Sequence, residues 1–302
     1  VFGECGGCSW QHVSYEEQLK QKQLHVERIA KSVSPDIEIL PIVGSKKFWN
    51  YRNRIQLHVK NGKIGFLAKK SHNLVPSADC KIADEKIVGY LKTHQSHLVS
   101  GAQKMNVQKF EVRTDGSRSV VVDWLGDKSP EFRQINVEIN AKINEKVIAH
   151  LKTSKEKNIY DLFCGAGNFG LLLAQKLGEK ILFGVDRDER LIEQAIAKTK
   201  GLRLKNIQFH LADVKNFFTS EKMLPGIVLL DPPRAGCDDA LLNQLKSPLV
   251  QEIIYISCHP ATAARDWKLL SSHFTVESVQ AFDMFPQTDH VELVAILRQQ
   301  KP

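Results

Sequence analysis

The apolar positions of this chain follow two different patterns. From about Lys128 onward, short apolar runs recur at 158–162, 181–185, 207–211, 227–230, 253–256, 275–281 and 291–297. Most carry little polar alternation, the signature of strands covered on both faces. Stretches of helical spacing fill the gaps between the earlier runs, and a further helix is expected over 137–151. Strand and helix in alternation predict an α/β architecture built on a mostly parallel sheet of seven strands.

Ahead of Lys128 the texture differs. Ser14 and Glu17 offer a capping box to a helix running to about Val33 and stopped by Pro35. Strand-like runs follow at 37–43, 55–59 and 64–67, the last two joined by Asn61-Gly62, a strong hairpin signal. A helix is expected from just after Cys80 to about His94, and a second hairpin pairs 110–114 with 119–124 across Asp115-Gly116. Residues 1–127 thus read as a smaller, mostly antiparallel α+β region, and 128–302 as a doubly wound domain.

Composition narrows the setting. With 42% hydrophobic and 25% charged residues the chain is an ordinary soluble protein. No apolar run reaches the roughly 20 residues that span a bilayer. No signal peptide is seen, so the expected address is the cytoplasm, without a membrane or an obligate protein partner; Val1 in place of Met leaves room for preceding sequence. The net charge of +8 is unevenly placed: residues 51–100 hold nine Lys and Arg against three Asp and Glu, whereas 128–302 hold 23 against 21. Phe48-Trp49-Asn50-Tyr51-Arg52-Asn53-Arg54 interleaves aromatic and basic side chains beside that surplus. Such a stretch suits phosphate contacts and base stacking, so RNA or DNA is the expected partner.

Six cysteines in a cytoplasmic chain argue for metal binding or catalysis over disulfides. Cys5-Gly6-Gly7-Cys8 is a C-x-x-C on glycines, able to turn two thiolates toward one ion or cluster. Cys164 and Cys237 read as packing residues. Cys258 differs, because the apolar run 250–256 breaks off into Ser257-Cys258-His259-Pro260. That places a thiol at a strand's carboxyl tip, ahead of a proline suited to a helix's first turn. Ligands collect at this edge of an α/β sheet, and a helix N-terminus favours the thiolate.

Other residues are expected at the same edge. Asp161-Leu162-Phe163-Cys164-Gly165-Ala166-Gly167-Asn168-Phe169-Gly170 satisfies G-x-G-x-x-G, and Asp186 ends the next strand, where a carboxylate can accept ribose hydroxyls. A nicotinamide dehydrogenase and an S-adenosylmethionine methyltransferase both want this arrangement. Asp213 follows the third strand, placed for an adenine amine or, alternatively, as a helix N-cap. Asp231-Pro232-Pro233-Arg234 forms a stiff loop after the fourth strand. Methyltransferases of amino groups place an aromatic where Arg234 stands, and a dehydrogenase has no use for the loop. In Asp289-His290-Val291-Glu292 a carboxylate opens the last apolar run, where partial burial would raise its pKa toward that of a general base.

A thiol, a base and a methyl donor together fit methylation at C5 of uracil, a carbon too weakly nucleophilic to react unaided. In their motifs the residues resemble the RNA uracil-5 methyltransferases, and among them the cluster-bearing branch that modifies 23S ribosomal RNA. The resemblance rests on CGGCSWQH at the start, Tyr51-Arg52-Asn53-Arg54, SADC at Cys80, FRQIN from Phe132, DLFCGAGNFG, DPPRAG, SCHPAT and DMFPQTDHVE, and so covers nearly the whole chain.

It implies a Rossmann-like methyltransferase domain with Cys258 as nucleophile and Glu292 as base. It implies Gln134, Phe163, Gly165, Asn168, Asp186, Asp213 and Asp231 around S-adenosylmethionine, and Cys5, Cys8 and Cys80 on a [4Fe-4S] cluster. In that branch a fourth cysteine stands six residues before Cys5, with a β-barrel RNA-binding module ahead of it. Both positions fall before Val1, so either the chain is a fragment or the cluster has three protein thiolates. Zinc on the three cysteines and His12 is the alternative metal. Rival readings of the function are a tRNA uracil-5 methyltransferase, a dehydrogenase, and an RNA-binding protein without catalysis.

Overall fold

The computed structural model describes residues 1–114, 119–125, 134–220 and 223–300. Along the chain its elements are α1 (Tyr15–Lys31), β1 (Glu38–Val43), β2 (Arg54–Lys60), β3 (Lys63–Leu67), β4 (Leu74–Pro76), α2 (Glu85–Lys104), β5 (Lys109–Thr114) and β6 (Val120–Trp124). There follow α3 (Val137–Thr153), β7 (Asn158–Leu162), α4 (Gly170–Lys176), β8 (Ile181–Asp186), α5 (Glu189–Gly201), β9 (Ile207–Leu211) and α6 (Val214–Ser220). The last elements are β10 (Gly226–Leu230), α7 (Asp239–Leu245), β11 (Val250–Ser257), α8 (Pro260–Leu270), β12 (Phe274–Phe282) and β13 (Glu292–Gln299). Among the described residues no helix is long and apolar enough to cross a membrane.

Two compact units form, interleaved along the sequence. One comprises Val1–Lys20, Gly44–Asn140 and Met284–His290, the other Gln21–Val43, Ala141–Asp283 and Val291–Pro302. In the first, the antiparallel sheet runs β4-β3-β2-β5-β6. Its buried face, Ile55, Leu57, Ile64, Phe110 and Val112, packs on Ile87, Leu91 and Leu98 of α2. Asn61 and Gly62 both take positive φ, 51° and 70°, as a tight hairpin between β2 and β3 requires. The turn expected at Asp115-Gly116 lies outside the described residues, as does Phe132, but the strands around that turn, β5 and β6, pair antiparallel as the pattern predicts. Helix α2 outlasts its expected end: His94 bends it, with φ −119°, and the helix resumes to Lys104.

The second unit holds an eight-stranded sheet of order β1-β12-β13-β11-β10-β7-β8-β9. The expected count of seven is corrected by β1, which the sequence reading placed in the N-terminal region. It pairs parallel to β12, with Glu38 opposite Ser278, and so closes one edge. Strand β13 runs antiparallel to both of its neighbours, while the remaining pairs are parallel. Beneath the sheet a continuous core gathers Tyr160, Val228, Leu230, Tyr255, Trp267, Phe274, Leu293 and Ala295.

One buried interaction escapes the hydrophobic pattern. Lys22 Nζ lies 2.6 Å from Asp283 Oδ1 with neither side chain exposed, and Asp283 Oδ2 has no hydrogen-bond partner among the described residues. Removing one member leaves the other charge buried and uncompensated, a loss of about 3–5 kcal/mol. Lys22→Met should therefore lower the urea midpoint strongly, while Lys22→Met with Asp283→Leu recovers most of it; equal loss in both would show that packing, not charge, is at stake.

Candidate active site

Parallel strands end at a common edge, and here that edge collects most of the candidate side chains. Strands β7, β8, β9, β10 and β11 run the same way, so the glycine-rich turn, Asp186, Asp213, Asp231 and Cys258 emerge together. Strand β13 runs the opposite way, which brings its first residue, Glu292, to the same edge. Its ladder with β11 ends with Ser257 opposite Leu293. Continued by one position, that register sets Cys258, just past the end of β11, beside Glu292, the first residue of β13, which pairs on its other side with Phe282 of β12.

Cys258 is half-buried at the tip of β11. After it His259 caps α8, its Nδ1 accepting from the Thr262 N–H at 3.3 Å, and Pro260 fills the first turn. Burial pushes the Cys258 thiol up, the Glu292 carboxylate adds to this, Arg234 pulls it down and Asp231 raises it again. In the described structure burial is the largest influence on this thiol and disfavours its charged form, and Arg234 is the charged group that opposes it. Glu292 is buried and held well above the usual carboxylate range by that burial and then by Asp231, with Arg234 opposing. Burial also pushes Asp231 up to about 7. Two carboxyls, Asp231 and Glu292, thus act on each other and on the thiol, with the exposed Arg234 as the opposing charge.

The glycine-rich turn is strained where the sequence points to a ligand. Phe163 takes φ 63°, a left-handed conformation costly for an aromatic residue, and Gly165 and Gly167 take 52° and 80°. A Cβ on Gly167 would meet Leu171 at 2.9 Å and Phe209 at 3.0 Å. Asp186 Oδ2 accepts the Gly165 N–H at 2.9 Å and its Oδ1 that of Asp188, also at 2.9 Å. Each oxygen keeps a lone pair for a hydroxyl donor. Asp213 caps α6, accepting the Lys215 N–H at 3.2 Å, which is the helix-capping alternative in place. Asn168 is exposed on the turn. Gln134 lies in the other unit, where its carbonyl accepts from Asn53 Nδ2 at 2.9 Å.

Asp161 was missed as a site residue. On β7 it is almost fully buried. Its Oδ2 accepts the Gly170 N–H at 2.9 Å, and its Oδ1 has no partner among the described residues. Burial pushes it up to about 8, opposed by that hydrogen bond and reinforced by Asp231 and Asp186. The signal was available, since a carboxyl inside an otherwise apolar strand needs a reason to be there.

In the first unit Cys5, Cys8 and Cys80 line one cavity of about 460 Å³ with Arg52, Gln11 and Phe66. Arg52 Nε is buried without a hydrogen-bond partner among the described residues. Burial pushes the Cys80 thiol up, while the N–H groups of Ile82 and Ala83 and the Arg52 charge draw it down. Among the described residues no three His, Cys, Asp or Glu side chains form a ready metal-binding group. His12 is not part of the cavity lining and packs instead against the Phe2 ring, 5.5 Å away.

Comparison with known proteins sharpens the chemistry. Residues 125–300 match the profile of a family described as tRNA (uracil-5-)-methyltransferase. An uncharacterized RNA methyltransferase of Bdellovibrio bacteriovorus is 35% identical over 99% of this chain and 78% of its own length. One of Oceanobacillus iheyensis is 29% identical over 97% of the chain and 81% of its own. Among solved structures, the tRNA (uracil-54, C5)-methyltransferase of Pyrococcus abyssi, in complex with S-adenosyl-L-homocysteine, superposes with a TM-score of 0.76. It has 25% identity and covers 96% of this chain and 85% of that one.

The buried carboxyl on β7 gives a sharp test. An aspartic acid whose folded pKa is raised from 3.8 to about 8 stabilises fully below its unfolded value. That stability is lost as pH rises from near 4 through 8, since the unfolded chain releases the proton first. Asp161→Asn carries no such proton, so relative to wild type its Tm should gain several degrees at pH 8 and nothing at pH 4. A constant difference across that range would contradict the assignment.

Proposed function

The chain belongs to the tRNA (uracil-5-)-methyltransferase family, and from that premise we propose how its own residues carry the reaction and on which RNA. It is an S-adenosylmethionine-dependent RNA uracil-5 methyltransferase. The observation that carries the residue assignment is the register that sets Cys258 beside Glu292.

Cys258, deprotonated, adds to C6 of the target uracil, and the ring becomes an enolate with carbanion character at C5. S-adenosylmethionine, bound there, would supply an electrophilic methyl group to C5 and leave as the neutral thioether S-adenosylhomocysteine. Glu292, buried and held well above the usual carboxylate range, takes up as its carboxylate the hydrogen left on C5. The ring electrons then expel Cys258 as thiolate, which restores the enzyme. Arg234 offsets the carboxylates while the thiol is charged. The strained turn at Phe163, Gly165 and Asn168 with Asp186, Asp213 and Asp231 suits the donor; Gln134 joins that set on the strength of the family resemblance. To enter such a site the uracil must be turned out of any stack.

The proposed ligands of a [4Fe-4S] cluster are the three cysteines, supported by the family resemblance and by the cavity they line together with Arg52, whose Nε is buried without a hydrogen-bond partner among the described residues. A cluster there would tie the N-terminal residues to the segment around Cys80 and would offset the charge of Arg52. The proposed substrate is 23S ribosomal RNA, supported by the cysteine-rich N-terminal motifs and the basic stretch around Arg52 and Arg54. A tRNA substrate is the second reading, favoured by the likeness to the Pyrococcus abyssi enzyme. Mapping 5-methyluridine in total RNA with and without the protein separates the two.

On this mechanism, wild type forms a stable adduct with 5-fluorouridine RNA and donor, and Cys258→Ala forms none. Glu292→Gln with ordinary RNA accumulates a methylated adduct, because the C5 hydrogen stays in place. An adduct in Cys258→Ala would defeat the nucleophile assignment. Anaerobically purified protein should absorb near about 400 nm from thiolate-to-iron charge transfer and lose the band in Cys80→Ala; colourless protein carrying zinc would overturn the cluster.

A further inference from the structure

We infer that Asp266 and Arg265, on the helix that follows the nucleophile, are positioning residues: they clamp the Pro232–Cys237 loop to β11 and so fix Arg234 beside Cys258. Neither belongs to the motifs that mark the reactive groups, and neither touches a reacting atom.

Three elements converge on one carboxylate. Asp266 is fully buried on α8. Its Oδ2 accepts the Tyr255 hydroxyl of β11 at 2.5 Å and the Cys237 N–H of the loop at 2.9 Å. Its Oδ1 accepts Arg265 Nε at 2.9 Å and Nη2 at 2.6 Å. Arg265 Nη2 also donates to the carbonyls of Ala235 at 3.0 Å and Cys237 at 3.1 Å. A buried carboxylate this fully bonded has one arrangement available to it. Between those carbonyls Gly236 takes φ 80°, and a Cβ there would lie 2.5 Å from Thr262 Cγ2, 2.7 Å from Arg265 Nη2 and 2.7 Å from Asp266 Oδ2. The loop is therefore pressed onto α8 with no slack.

What the clamp holds in place bears on the reaction. Tyr255 stands three residues before Cys258 on the same strand, and Arg234 stands two residues before Gly236. The charged groups acting on the Cys258 thiol are Glu292 of β13, Asp231 and Arg234, and of these only Arg234 favours the thiolate. His259, next to the thiol, is occupied in capping α8. A loop free to lift would take the cation away and leave two carboxylates facing the nucleophile. This inference rests on Cys258 as nucleophile, a reading that the 5-fluorouridine adduct tests independently.

The test reads the thiol itself. Alkylation of Cys258 by iodoacetamide is followed against pH in the full chain by mass spectrometry of the peptide that carries it. Arg265 is half-exposed, so Arg265→Gln removes the clamp without opening the core. Its alkylation profile should shift to higher pH, with a rate about threefold slower at neutral pH, since the thiolate fraction falls. In an Arg234→Gln background the same change should add nothing. Asp266→Asn should behave alike; if that chain does not fold, Arg265→Gln decides. With RNA, kcat should fall while the KM for RNA holds. The proposal is overturned if Arg265→Gln leaves the profile where it was. It is overturned equally if the slowing is the same with and without Arg234, which would mean a direct effect of the lost charge.

Discussion

The site depends on one strand running the wrong way. A sheet of parallel strands delivers only carboxyl ends to its functional edge. Here β13 enters antiparallel between β11 and β12 and delivers the first residue of a strand instead. Because residue pairs across such a ladder are fixed by backbone hydrogen bonds, a register that sets Ser257 against Leu293 leaves no freedom about what comes next. A slip of one residue would turn Leu293 and Ala295 out of the core they share with Tyr255 and move the carboxylate to the other face. The hydrophobic core thus holds the spacing of the two reactive groups.

Electrostatics then decide how that pair behaves. Burial disfavours charge on Cys258, on Glu292 and on Asp231 alike, so the resting site is poorly disposed to ionise. With Cys258 as the proposed nucleophile, a thiolate is needed only when the pyrimidine is in place, and a site that resists charge in the absence of its ligands limits side reactions of the thiol. A bound sulfonium would add a positive charge near these carboxylates, and Arg234 already supplies one. The clamp on α8 matters for the same reason: a single cation works against two anions, and its distance sets the balance.

Much of this was legible in the residues. A solid apolar run breaking into Ser-Cys-His-Pro can hardly be other than a strand tip followed by a helix, and the glycine spacing at 165, 167 and 170 admits few conformations. What could not be read depended on partners distant in sequence. Strand β1 looks like its N-terminal neighbours, and only its pairing with residues 278–282 assigns it to the large sheet. Lys22 sits in an amphipathic helix among other charged residues, and its burial follows from an aspartate 261 positions away. Helix α2 continues past His94 because the bend there, and not a terminating glycine or proline, interrupts it. Asp213 shows the converse, a residue whose local capping role was as legible as its proposed ligand.

The most direct measurement of the central claim concerns the register itself. Neighbouring residues across an antiparallel ladder have Cα atoms about 4.5–5.5 Å apart, inside the span a disulfide bridges. Under mild oxidation the Glu292→Cys variant should join positions 258 and 292 in high yield, seen as a linked peptide pair by mass spectrometry. If Cys258 stays free or pairs elsewhere while position 292 remains unlinked, the two groups do not share a site and the account fails.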